Sequence, residues 1–250
     1  LSRGGDTSAD PALAVAAASP DPAVRVAALD SARRGHARAL WTVAVRATGS
    51  PSGLVRTAAF LALAVAVDKE PGRTLPPAVT ARLVATLAAR DPERAQERVA
   101  AIRLAGLARV AEKELVALRD GDEAWLAGEA AAALGRFPGR AEETLRLAMA
   151  AGGPRQLAVA GVLARVPGGS AAIKALLESP EPALRLAAVD AAAELGGEEL
   201  VNAITVRLDD PDVAVRASAL EALGNAMAVP PLPTLLERLT RESRSQEPDA

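Results

Sequence analysis

The sequence predicts an all-α protein: a right-handed α-solenoid of about seven helical hairpins, finished by a C-terminal capping helix. Three observations predict it. A short motif built around an arginine recurs at near-constant spacing along the 250 residues. Proline or glycine punctuates most copies at matching places. Half the residues are hydrophobic but only 2% are aromatic, so the core must be made of Ala, Val and Leu, which suits packed helices better than sheets.

The motif is an apolar residue, an Arg, a variable residue, two small residues and another apolar residue. Its clearest copies are Val24-Arg25-Val26-Ala27-Ala28-Leu29, Val55-Arg56-Thr57-Ala58-Ala59-Phe60, Leu184-Arg185-Leu186-Ala187-Ala188-Val189 and Val215-Arg216-Ala217-Ser218-Ala219-Leu220. A fifth copy, Arg98-Val99-Ala100-Ala101-Ile102, has Glu97 where the others have an apolar residue. Two weaker copies place Ala127 and Ala158 at the arginine position. The anchors at 25, 56, 98, 127, 158, 185 and 216 are separated by 31, 42, 29, 31, 27 and 31 residues. A period of ~30 residues holds two helices of about 12 residues and two turns, which is a helical hairpin.

In chain order, residues 1–10 are expected to form a flexible N-terminal segment and 11–242 a single repeat domain. Pro22, Pro51, Pro92, Pro182 and Pro211 stand near the start of the second helix of a hairpin, each after an Asp, Ser or Glu. Proline is harmless in a first turn, and the preceding Asp or Ser can cap exposed N–H groups. Second helices are expected to stop at Gly106, Gly135, Gly196 and Gly224, where glycine accepts a left-handed backbone. First helices show one-sided apolar stripes, as in Val79, Leu83 and Leu87 or in Leu200, Ile204 and Leu208. The 42-residue step carries Asp68-Lys69-Glu70-Pro71-Gly72-Arg73, so a loop insertion is expected over about 68–77. A capping helix is expected over about 232–241, followed by a disordered tail at 243–250.

These residues and spacings resemble the short HEAT-like repeats of phycobilin lyases and of many bacterial scaffold proteins, from about Pro11 to Thr240. The resemblance implies that the arginines of the ladder, Arg25, Arg56, Arg98, Arg185 and Arg216, pair with acidic turn residues of their own or a neighbouring repeat. Asp21, Asp91, Glu181 and Asp210 are available for this.

Composition narrows the function. With a formal charge of −2 and a pI near 5.7, the chain has no basic arm for a phosphate backbone, and no nucleic-acid partner is expected. It has no cysteine and one histidine, His36, which removes thiolate catalysis, paired-His metal sites and imidazole relays. No phosphate loop, nucleophile elbow or zinc motif occurs, so no catalytic residue, cofactor or metal is expected. No apolar run approaches the ~20 residues that cross a bilayer. Three lysines among 29 basic residues, with the alanine excess, fit a GC-rich bacterial genome, and a cytoplasmic location is expected. Opening on Leu1, the chain reads as a trimmed form or as a domain of something longer.

What remains is a protein-binding scaffold. The second helices of such hairpins are expected to line a concave face, with the residue five after each anchor pointing outward: Asp30, Leu61, Arg103, Ala132, Leu163, Asp190 and Glu221. That row is acidic at its ends and apolar or basic in the middle, which suits a protein segment. The fourth repeat departs most from the motif, with Ala127 for Arg, Glu129 at a small-residue position, and Trp125 at the opening of a second helix. Trp41, Phe60 and the Arg ladder read as structural, Trp125 as a candidate anchor. The resemblance also implies two other readings, a bilin-lyase-like chromophore transferase and a nucleic-acid-binding domain. Scarce aromatics and the absence of tyrosine weigh against the first, near-neutral charge against the second.

Overall fold

The computed structural model describes residues 10–34, 41–150 and 153–225, and among them it is helical throughout with no strand. Fourteen α-helices follow in pairs: α1 (Asp10–Ala17) and α2 (Pro22–Arg34), α3 (Trp41–Ala47) and α4 (Gly53–Lys69), α5 (Pro77–Ala88) and α6 (Ala95–Ala108), α7 (Glu112–Asp120) and α8 (Ala124–Leu134). The pairs continue with α9 (Ala141–Met149) and α10 (Pro154–Ala160), α11 (Gly169–Leu177) and α12 (Pro182–Leu195), α13 (Glu198–Val206) and α14 (Val213–Asn225). Each of the seven anchors lies on the second helix of a pair. The N-terminal segment, His36, the helix expected over 232–241 and the tail lie outside the described residues.

The punctuation works largely as its chemistry demands. Asp21 Oδ1 accepts the Ala23 N–H at 2.8 Å, Asp91 Oδ1 the Glu93 N–H at 3.0 Å, and Asp212 Oδ1 the Ala214 and Val215 N–H groups at 2.8 and 3.2 Å. These are donors that a helix start leaves without partners. Three glycines behave differently from expectation. Gly106 does not end its helix: α6 runs on to Ala108 and closes at Arg109, a non-glycine residue in the left-handed region at φ 53°. Gly135 follows α8 in a right-handed conformation, and Gly224 lies within α14. Gly196, after α12, has the positive φ of 72°. The true role of Gly106 is close approach, since a Cβ there would stand 2.7 Å from the Ala133 Cα of α8.

The helices gather into two compact units, residues 1–144 and 145–250, where one domain over 11–242 was expected; the division falls inside α9. In the first unit, α2 packs on α4, α4 on α6 and α6 on α8, while α1, α3, α5 and α7 each back their own partner. Phe60, Leu63, Leu83, Ile102, Leu104, Leu115 and Leu126 are fully buried between these layers. The 42-residue step is spent in two ways. α4 extends to 17 residues, absorbing Asp68 and Lys69, and the connection from Glu70 to Pro76 is irregular, the longest such stretch among the described residues.

In the second unit, α12 packs against α10, α11, α13 and α14. Here α10 is only seven residues long and closes at Gly161. The chain then makes a 3-10 turn, Leu163–Arg165, which packs on α11 and α12. This overturns the expected place of Leu163. It is fully buried, because the break at Gly161 turns it out of the helical register on which the outward row relied.

Candidate functional site

The arginine ladder is a set of clamps between successive repeats. Arg56 donates from Nε and Nη2 to both carboxylate oxygens of Glu97 at 2.8 and 2.7 Å, and from Nη1 to the carbonyls of Ser50 and Pro51. Arg185 repeats the arrangement with Asp210 at 2.8 and 2.7 Å and with the carbonyls of Ser179 and Pro180. Arg98 reaches Glu123 at 2.8 Å, and Arg216 holds the carbonyls of Asp210 and Pro211. The guanidinium groups of Arg56, Arg185 and Arg216 thus tie their own turns together, and those of Arg56, Arg98 and Arg185 grip a carboxylate of the next repeat. Asp210 serves as the resemblance implied, whereas Asp21 and Asp91 cap their own turns. Among the described residues, the buried Nε atoms of Arg25 and Arg98 have no hydrogen-bond partner, and Arg25 lacks the carboxylate that Arg98 reaches through Nη1. The next turn, Ser50-Pro51-Ser52-Gly53, brings no carboxylate to Arg25.

Glu97, the misfit of the fifth motif, is the centre of the most connected clamp. Its side chain is 3% exposed and also accepts from Arg94 Nη2 at 2.8 Å and from Thr86 Oγ1 at 3.4 Å. Burial pushes its pKa up, but the hydrogen bonds and charges of Arg56 and Arg94 prevail and hold it at about 2. In the second unit, the bond from Arg185 likewise lowers the pKa of Asp210 against the cost of its burial.

With Arg56 and Arg98 engaged, the first unit presents the outer faces of α4, α6 and α8. On α4, Leu54, Thr57, Leu61 and Val65 recur at helical spacing, with Leu54 69% exposed and the others half-buried. On α6 the same face carries Val99, Arg103 and Leu107, and on α8 it carries Trp125, 46% exposed, and Glu129. Glu129 faces the preceding repeat, where it meets Arg103 at 3.5 Å. Asp30 is half-buried on α2, and Ala132 is buried. Trp41 and Phe60 do not belong to this face: Phe60 is fully buried and Trp41 lies under Arg73. Leu54 was missed in the sequence reading, although it stands seven residues, two turns of helix, before Leu61 on the same side.

In the second unit, Asp190 and Glu221 are exposed on α12 and α14, and Asp190 accepts a hydrogen bond from Ser218 at 2.8 Å. Among the described residues no cluster of His, Asp or Glu is placed to hold a metal ion, and no helix is long and apolar enough to cross a membrane.

Paired helices, stacked within each unit so that second helices pack on one another, define an α-helical repeat protein. Residues 169–247, about a third of the chain, match the HEAT repeats family, and the described part of that match is α11 to α14. The chain carries HEAT-like repeats. No curated protein matches it. Among solved structures it is similar to an engineered protein from a structural genomics consortium, at 19% identity and a TM-score of 0.39, over 88% of this chain and 69% of that one. A second engineered protein from the same source matches at 18% identity and a TM-score of 0.38, over 88% and 99%. A designed armadillo repeat protein matches at 20% identity and a TM-score of 0.37, over 86% and 99%. These likenesses are too distant to carry a function.

Proposed function

We propose that the chain is a non-catalytic interaction scaffold, and that its first unit docks a protein partner on the outer face of α4, α6 and α8. The observation that carries the reading is the pair Leu54 and Trp125. They occupy the same place in two hairpins, two residues before the anchor, and both are exposed, where the other five copies carry Ala or Gln. Between them the face continues through half-buried Leu61, Val65, Val99 and Leu107, with the Arg103–Glu129 pair among them. An exposed aromatic and an exposed leucine flanking an apolar strip, with charged groups interspersed, is the anatomy of an interface core and its rim.

The test is affinity purification with the whole chain as bait, beside Leu54→Asp and Trp125→Ala. A partner held on this face should be lost or weakened by both, with ~1–2 kcal/mol or more lost for the tryptophan, while circular dichroism stays unchanged. Equal recovery by wild type and both variants sinks the reading. Visible absorbance on mixing with a bilin, or a salt-sensitive shift with duplex DNA, would move the protein to another class.

A further inference from the structure

The one insertion in the array does more than lengthen a turn. The irregular connection 70–76 stands beside the closing ends of α4 and α6, and together they enclose a cleft of about 620 Å³ within the first unit. That volume is in the range of ligand sites, ~300–1,000 Å³. Its walls include Asp68, Arg73, Leu75, Leu107, Arg109 and Arg136. The connection is held in place from behind, since the Arg73 guanidinium lies 3.9 Å above the Trp41 ring and reaches Glu70 at 3.0 Å. The charge of Arg73 is thereby met. Arg109 and Arg136 have no carboxylate within ion-pair distance among the described residues.

The opposite wall is a backbone irregularity. Arg109 and Ala111 both have positive φ, 53° and 58°, at a cost of ~1–2 kcal/mol each for residues with a Cβ. Glycine would close α6 without that cost, so the cleft keeps a guanidinium at a strained position. The end of α6 contributes acceptors too. The N–H groups of Arg109 and Val110 return to the carbonyls of Gly106 and Ala105, which leaves those of Leu107 and Ala108 as the open end of the helix. Cations, open carbonyls and aliphatic side chains therefore share one cleft.

We propose that this cleft binds an extended acidic segment of a protein partner. Carboxylates meet Arg109 and Arg136, backbone N–H groups meet the helix-end carbonyls, and an aliphatic side chain lies against Leu75 and Leu107. A phosphate polymer fits less well: its backbone has no donor for the carbonyls and no aliphatic side chain for those walls. The inference rests on the protein-binding reading, yet it concerns separate residues, so the test leaves Leu54 and Trp125 untouched.

The test is fluorescence anisotropy with a fluorescein-labelled Glu-Leu-Glu-Leu-Glu peptide and the whole chain. Saturable binding that weakens with added salt is expected, with little binding of the Gln-Leu-Gln-Leu-Gln peptide. Arg136→Ala and Arg109→Gly should each weaken binding about tenfold, and Arg46→Ala, on the exposed side of α3, should not. Arg109→Gly separates a lost site from a lost fold, because glycine relieves the left-handed backbone and the melting temperature should hold or rise. No binding by the wild type overturns the proposal, as does unchanged binding by both cleft variants. Stronger competition by a single-stranded oligonucleotide than by unlabelled peptide would give the cleft to nucleic acid and likewise overturn it. In any of these outcomes the face of α4, α6 and α8 remains to be judged by its own variants.

Discussion

Replacing Glu97 by glutamine removes one charge and almost no volume from the clamp that joins the second hairpin to the third. The carboxylate, ordinarily titrating near 4.5, is held at about 2 by two arginines despite its burial. A depression of that size corresponds to ~3 kcal/mol. Because the folded pKa is the lower one, that stability is fully present above the unfolded value and disappears as pH falls from about 4.5 toward 2. More than half of it should be gone by about pH 3. The variant also leaves Arg56 and Arg94 facing a neutral amide in a half-buried setting, so a loss of ~2–3 kcal/mol near neutral pH is expected. Both tryptophans, Trp41 and Trp125, belong to the first unit. Urea unfolding followed by tryptophan fluorescence therefore reads the unit that contains the clamp. Wild type and variant should differ by that amount at pH 7 and converge as the pH is lowered toward 2. A difference below ~1 kcal/mol at pH 7, or one that stays constant down to pH 2.5, would refute the account of Glu97 as a charge-dependent clamp.

Other changes probe other links. Gly106→Ala drives a Cβ against the backbone of Ala133; the expected crowding cost of ~1–3 kcal/mol exceeds the ~1 kcal/mol gained in helix propensity, and a stabilised variant would refute the α6–α8 contact. Arg185→Ala takes the bidentate partner from Asp210, whose side chain is fully buried, leaving it the Asp212 N–H and Arg207 at 3.8 Å, and should cost ~3 kcal/mol. That loss should appear in helicity by circular dichroism, with the tryptophan transition unmoved, because the second unit contains no tryptophan. Charge reversal at Asp30 or Glu221 should change the association rate of a partner more than its dissociation rate in surface plasmon resonance; a change confined to dissociation would place those residues inside the contact.

The hairpin array could be read from the chain because its determinants are local. Proline and Asp at a helix start, an apolar stripe of period 3.6 and a motif repeated every 27 to 31 residues in five of its six steps act through neighbours in sequence, and they reappear as seven helix pairs. Residue types that broke the pattern were also visible. Glu97 stood at an apolar position, Glu129 at a small one, and Asp68 to Arg73 in an overlong step. What each does was decided through space. Glu97 serves Arg56, 41 residues away, and Glu129 meets Arg103, 26 away, with many carboxylates of similar spacing competing on paper. Gly106 looked like a helix stop until the backbone of α8 lay against it, and Leu163 looked exposed until the break at Gly161 turned it inward. Helix periodicity follows from bonds four residues apart, whereas burial, ion pairing and the cleft beside Arg109 depend on which helices touch, and at what height, after the chain has folded.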